Sequence, residues 1–284
     1  MIDQDLLLTA FSQRTSQYLD ERKRCKTEFS EEAVHDLRVA ARRLLALLKI
    51  LRDIAPDLRL QKLNRSIKDE LGSFNELRDT QVMLVEISES IESLPALAAL
   101  QTFLLKREKR LLKTARQQVR NFKARAVSAR LEKLRASLTD LSASPDLPAR
   151  LLDSADDAFQ TVTRRYTAID PAAPASIHRV RVAFKKFRYS IELVCPLVPN
   201  FPQQNMEDMH IYQSLMGNIQ DAEVFLHSLQ SFADTHKNFD PLPVRAFYQQ
   251  RHKEALSAYL EEMGQLYRFW RRAPDQFFPW EIKQ

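Results

Sequence analysis

Glycine is nearly missing from this chain, with three residues in 284. Phosphate loops, dinucleotide fingerprints and turn-rich β folds need the positive-φ turns and close backbone approaches that glycine supplies, so those classes are excluded. Cysteine is almost as scarce. Cys25 and Cys195 stand far apart and match no metal-ligand spacing. That excludes a disulfide scaffold and a thiolate metal centre, and implies a reducing, cytoplasmic setting. No apolar run approaches the ~18 residues of a membrane span, so no membrane partner is expected. The opening "MIDQDLLLTAF" is acidic where a secretion signal would be basic. There is no His-x-x-x-His pair and no carboxylate cluster, so neither a metal nor another cofactor is expected.

Helix-forming sequence is what the chain has in abundance. Leu, Ala, Arg, Lys, Glu and Gln fill long intervals with helical periodicity. Proline provides the punctuation that glycine does not. Breaks fall at Pro56, Pro95, Pro145/Pro148, Pro171/Pro174, Pro196/Pro199/Pro202 and Pro241/Pro243, with a further one at the candidate N-cap Ser30. They predict an all-α fold of about eight helices, four in each half. The aromatic tail after Pro274, "DQFFPWEIKQ", is expected to fold back onto the bundle.

One pattern occurs twice. "AVHDLRVAARR" (Ala33 to Arg43) and "SIHRVRVAFKK" (Ser176 to Lys186) share His, Arg, Val, Ala and a closing pair of cations at the same spacing, 143 residues apart. Pro56 and Pro199 keep that offset. "LRDTQVML" (Leu77 to Leu84) and "IQDAEVFL" (Ile219 to Leu226) are offset by 142. These landmarks indicate two pseudo-symmetric four-helix modules, residues 1–142 and 143–284, that together form one domain.

Each residue of a helix advances about 100°. His35, Arg38, Arg42 and Lys49 therefore share one narrow stripe, and Leu37, Ala41, Leu44, Leu48 and Leu51 form a separate apolar one. In the second copy His178, Arg181, Lys185 and Arg188 make the cationic stripe, with Tyr189 beside it. Val180, Phe184, Phe187, Ile191 and Val194 make the apolar stripe. Arg43 and Lys186 lie between the faces. Like charges this close repel by a few tenths of a kcal/mol per pair, and an anion would relieve them. A third stripe, Lys106, Lys109, Arg110 and Lys113, continues to Arg116 and Arg120 on one face of a long fourth helix. Residues 1–142 hold 27 Lys+Arg against 20 Asp+Glu, and the remainder 16 against 17. The lopsided charge points to a polyanionic partner and a basic groove. Asp79 and Asp221 lack a catalytic partner in sequence reach, and are expected in buried salt bridges to stripe arginines. Tyr18, Arg14 and Arg22 form an i,i+4 set that reads as structural.

With "HDLRVAARR" followed by "ELRDTQVML", and "HRVRVAFKKFRY" followed by "GNIQDAEVFL", the chain resembles the CHAD family, named for a conserved-histidine α-helical domain. The resemblance covers nearly the whole chain. It implies two four-helix bundles around a basic cavity, non-enzymatic binding of inorganic polyphosphate, and association with polyphosphate granules. By motif position it implies His35, Arg38, Arg42 and Arg43, with His178, Arg181, Lys185, Lys186, Arg188 and Tyr189, as ligand residues. Asn75 departs from the family, which tends to have glycine there, and Gln220 stands for the second motif's arginine. The Glu-x-Glu-x-Lys of the CYTH triphosphatases often joined to this family does not occur, so that activity is not implied. Two other functions remain. Nucleic-acid binding would need aromatics interleaved with the cations, and only Tyr189 qualifies. Histidine phosphotransfer is suggested by the likeness of "HDLRVAA" to His-x-Leu-Lys-Gly, but Val39 replaces the glycine.

Overall fold

The computed structural model describes residues 6–56 and 58–281. Ten α-helices lie there: α1 (Leu6–Thr27), α2 (Glu31–Ile54), α3 (Gln61–Gly72), α4 (Asn75–Ser90), α5 (Leu97–Asn121), α6 (Ala124–Ser142), α7 (Leu147–Tyr166), α8 (Ala175–Val194), α9 (Gln204–Thr235) and α10 (Leu242–Glu262). Short 3-10 segments follow α8 and α10, and no strand occurs among the described residues. The all-α expectation holds.

The helix count exceeds eight because two intervals are broken without proline. Between α3 and α4, the Ser73 hydroxyl donates to the Glu70 carbonyl at 2.6 Å, and the Phe74 ring is fully buried. The matching stretch of the second half continues unbroken as the 32-residue α9. Between α5 and α6, Phe122 turns extended, and its ring centroid lies 4.5 Å from the Arg22 guanidinium. That cation–π contact favours leaving the helix there.

Ser30 caps α2 as expected, its hydroxyl accepting from the Ala33 amide at 3.1 Å. None of the three glycines has positive φ. Phe29 (φ 49°) and Asn200 (φ 52°) make the left-handed turns instead. For Phe29 this costs roughly 1–2 kcal/mol, which burial of its ring offsets.

Short connections make α1–α2, α4–α5, α7–α8 and α9–α10 antiparallel neighbours, while α2–α8 and α4–α9 join the two halves. Helices of both halves share both cores. The principal core combines α1, α2, α3, α6, α7 and α8 with the start of α9. A smaller one sets Met83, Ile87, Leu100 and Leu104 against Phe225, Leu229, Phe232 and Tyr248. All ten residues of the two apolar stripes on α2 and α8 are buried. The tail folds back: the Trp270 indole donates to Asp156 at 2.7 Å, Phe278 and Trp280 stack at 4.9 Å, and Phe277 stays exposed.

A buried polar cluster clamps three helices. Tyr18 on α1 donates to Glu70 on α3. Arg22 donates to Glu70 at 2.9 Å and to the Val119 carbonyl on α5 at 3.0 Å. Glu70→Ala would leave the Arg22 charge buried without its partner. Urea unfolding should show a loss of about 3 kcal/mol or more, with Glu70→Gln milder. A loss under about 1 kcal/mol would mean that Arg22 escapes to water.

Candidate functional site

The apolar stripes fix how α2 and α8 are rotated. Phe184 packs on Tyr212 of α9 at 4.9 Å, and Phe187 on Phe159 of α7 at 5.0 Å. With those rings locked, the cationic side of α8 turns toward α2 and α3, where a cavity of about 850 Å3 opens. From α2, Arg42, Lys49 and Arg52 line it. Arg65, Lys68 and Asp69 come from α3, and Arg181, Lys185, Lys186 and Tyr189 from α8. Eight cations thus face a single carboxylate. Polar Gln61, Asn64 and Ser190, small Ala46 and Ala158, and apolar Leu45 and Val182 complete the wall.

This crowding acts on the charges themselves. Burial, then Arg42, Arg181, Arg188 and Arg38, pull the Lys185 ammonium down to about 7. Burial and the nearby Arg165, Lys49, Lys68 and Arg52 lower Lys186 as well. Arg42 is lowered by burial and by Arg181 and Arg78, with Tyr189 opposing. Arg38 falls to about 10, through burial first and Arg42 next. The Nε atoms of Arg181 and Arg188 are buried without a hydrogen-bond partner among the described residues. Arg181 also lies against Gly217 of α9, where an added Cβ would stand 3.6 Å from its Nη2. Such an array disfavours its own charge and is suited to an anion with several negative groups.

Of the residues nominated from sequence, the cavity gathers Arg42, Lys49, Arg181, Lys185, Lys186 and Tyr189. Lys49 also pairs with Asp53 at 2.6 Å. Arg38 and Arg188 lie behind the wall. Arg38 donates to the Leu71 carbonyl at 3.3 Å and to Asn75 Oδ1 at 3.1 Å, so the asparagine that departs from the family pattern holds a stripe arginine. Arg188 lies over the Tyr189 ring, 5.3 Å from its centroid. Arg43 reaches across to Glu192 of α8 at 3.3 Å. His35 and His178 are exposed near the starts of α2 and α8 and do not line the cavity. The α5 set is elsewhere: Lys106 and Lys109 are exposed, while Arg110 and Lys113 edge a separate depression with Thr114, Gln117 and Gln118.

The expectation for Asp79 and Asp221 needs correction. Both are exposed, and neither pairs with a cation among the described residues. Arg38 is turned toward Asn75 and Arg181 toward Gly217. Partial desolvation raises both carboxyls, opposed by Arg38, Arg107 and Arg78 at Asp79 and by Arg181 and Arg78 at Asp221. The Tyr18, Arg14 and Arg22 set is buried, in keeping with a structural role. Sequence inspection missed Arg52, Arg65 and Lys68. All three lie off the repeated stripes; Arg52 lines the cavity from α2 itself, and Arg65 and Lys68 reach it through the packing of α3 against α2. No group of three or more His, Cys, Asp or Glu suited to a metal ion occurs among the described residues. No helix there is long and apolar enough to cross a membrane.

The architecture defines an all-helical domain with cations gathered between its second, third and eighth helices. The chain belongs to the CHAD domain family, whose model matches residues 9–230. Two solved structures share the fold. The crystal structure of the CHAD domain from the plant Ricinus communis has 18% identity and a TM-score of 0.67, covering 93% of this chain and 88% of that one. PptA from Streptomyces chartreusis has 16% identity and a TM-score of 0.60, covering 93% of this chain and 100% of the other. No curated protein sequence matches this one.

Proposed function

We propose that the protein binds inorganic polyphosphate in the α2–α3–α8 cavity and catalyses no reaction on it. The carrying observation is eight lining cations against one carboxylate. Membership of the CHAD family, which is linked to polyphosphate binding in general, supports the same ligand. Polyphosphate is a dense line of charge without bases, so it needs closely spaced cations and little aromatic surface. Tyr189 is the single aromatic residue lining the cavity, and it is mostly buried. That favours polyphosphate over nucleic acid, which would ask for stacking faces. The exposed α5 cations Lys106, Lys109, Arg110 and Lys113 supply long-range attraction rather than contacts. The repeated motifs are the trace of a duplicated module, and the working location is the cytoplasm, on polyphosphate granules.

Titration with polyphosphates of graded length tests this reading. Affinity should rise with length until the cavity is spanned. It should fall at least about a hundredfold between roughly 50 and 200 mM salt, as expected when several cations each take a phosphate. A bound anion favours the charged amine of Lys185, so affinity should be flat below about pH 7 and decline above it. Equal competition by single-stranded RNA at matched phosphate concentration would favour the nucleic-acid alternative instead.

A further inference from the structure

We propose that Lys185 is a modification site for acyl phosphates: the phosphoryl group is held by Arg42 and Arg181, and the acyl group is transferred to Lys185 Nζ. The proposal rests on the anion-binding reading of the same cavity and adds a way of regulating it. Lys185 lines the cavity beside Arg42 and Arg181, and no carboxylate pairs with it among the described residues. The charged and titratable groups that face it are Arg38, Arg42, Lys49 and Arg52 from α2, Arg65, Lys68 and Asp69 from α3, and Arg181, Lys186, Arg188 and Tyr189 from α8. From α7 the wall receives only Ala158.

Guanidinium groups do not give up their protons in proteins. The lysine is therefore the group that relieves the crowding, and with its amine lowered to about 7 roughly half is free base near neutral pH, far more than for an exposed lysine. An unprotonated amine is a nucleophile, while the fixed guanidiniums hold a phosphoryl group next to it. In the reaction the Nζ lone pair attacks the acyl carbon and a C–N bond forms. The bond from that carbon to the phosphate oxygen breaks, and phosphate leaves with the electron pair. The proton lost from nitrogen goes to the departing phosphate, giving an amide and hydrogen phosphate. Lys49, tied to Asp53 at 2.6 Å, lacks the free amine. Lys62 and Lys133 are exposed outside the cavity and lack the phosphate anchor. Acylation removes a cation and fills space, so the modified protein should lose polyphosphate affinity.

The test is incubation of the full chain with acetyl phosphate near neutral pH, followed by site-resolved mass spectrometry. Lys185 should be acetylated about tenfold faster than Lys62 and Lys133, since far more of its amine is unprotonated. Added inorganic phosphate should suppress the reaction at Lys185 alone. With acetic anhydride, which has no phosphoryl group to be held, the preference for Lys185 over Lys62 and Lys133 should be smaller than with acetyl phosphate. Equal rates at the three lysines would overturn the proposal, as would a Lys185 rate indifferent to inorganic phosphate. Polyphosphate added first separates the two readings. Protection of Lys185 supports both, whereas rapid, phosphate-sensitive labelling that polyphosphate does not block would sink polyphosphate binding and leave the acyl-phosphate site standing.

Discussion

A Lys185→Met variant should be more stable than the wild type at pH 6 and bind polyphosphate more weakly. The two effects share one cause. Folding buries the Lys185 amine among guanidiniums and lowers it to about 7, while the unfolded chain keeps an ordinary lysine near ~10.4. Between those values the unfolded state holds the extra proton, so wild-type stability rises with pH through that window. Below about 7 the full cost of the charged amine is present, at most about 5 kcal/mol and less in proportion to the water the cavity admits. Methionine has a similar shape and no charge, so it removes that cost. Urea unfolding at pH 6 should therefore favour the variant, with the gap closing toward pH 10. The same variant should lose roughly ten- to a hundredfold in affinity at pH 6, the worth of one charge-assisted contact. A variant less stable than the wild type at pH 6 would mean that Lys185 is held by packing rather than crowded by charge. Unchanged affinity would remove it from the binding surface.

The pH response falls to Lys185, and the residues around it show what a sequence can carry. Periodicity placed Arg42, Arg181 and Lys185 correctly relative to Leu44, Phe184 and Phe187, because one helix fixes which residues share a face. Burial of those apolar residues then forces the cations to the other side. A stripe does not say what lies opposite it. Lys106 and Lys109 satisfy the same periodicity, yet α5 turns them to solvent. Arg43 gives no local hint of Glu192, 149 positions away. Arg65 and Lys68 on α3 belong to no repeated pattern and become part of the site by tertiary packing alone. Helix ends were legible where proline or Ser30 marked them. The breaks at Phe74 and Phe122 coincide with the burial of one ring and a cation–π contact of the other with Arg22, which no local propensity reports.

Whether the cavity is the binding site is decided most directly by comparing two triple variants of equal charge change. Arg42→Gln, Arg181→Gln and Lys186→Gln remove three cavity cations. Lys106→Gln, Arg110→Gln and Lys113→Gln remove three from the exposed face of α5. Calorimetric titration with one polyphosphate at fixed salt, after circular dichroism has shown matching helix content, compares them. At about 1.5 kcal/mol for each lost contact, the cavity variant should lose roughly a thousandfold in affinity. The α5 variant should lose less than about tenfold, because only long-range attraction is removed. Equal losses, or a larger loss from α5, would contradict the assignment and place the ligand on the outer face of the bundle.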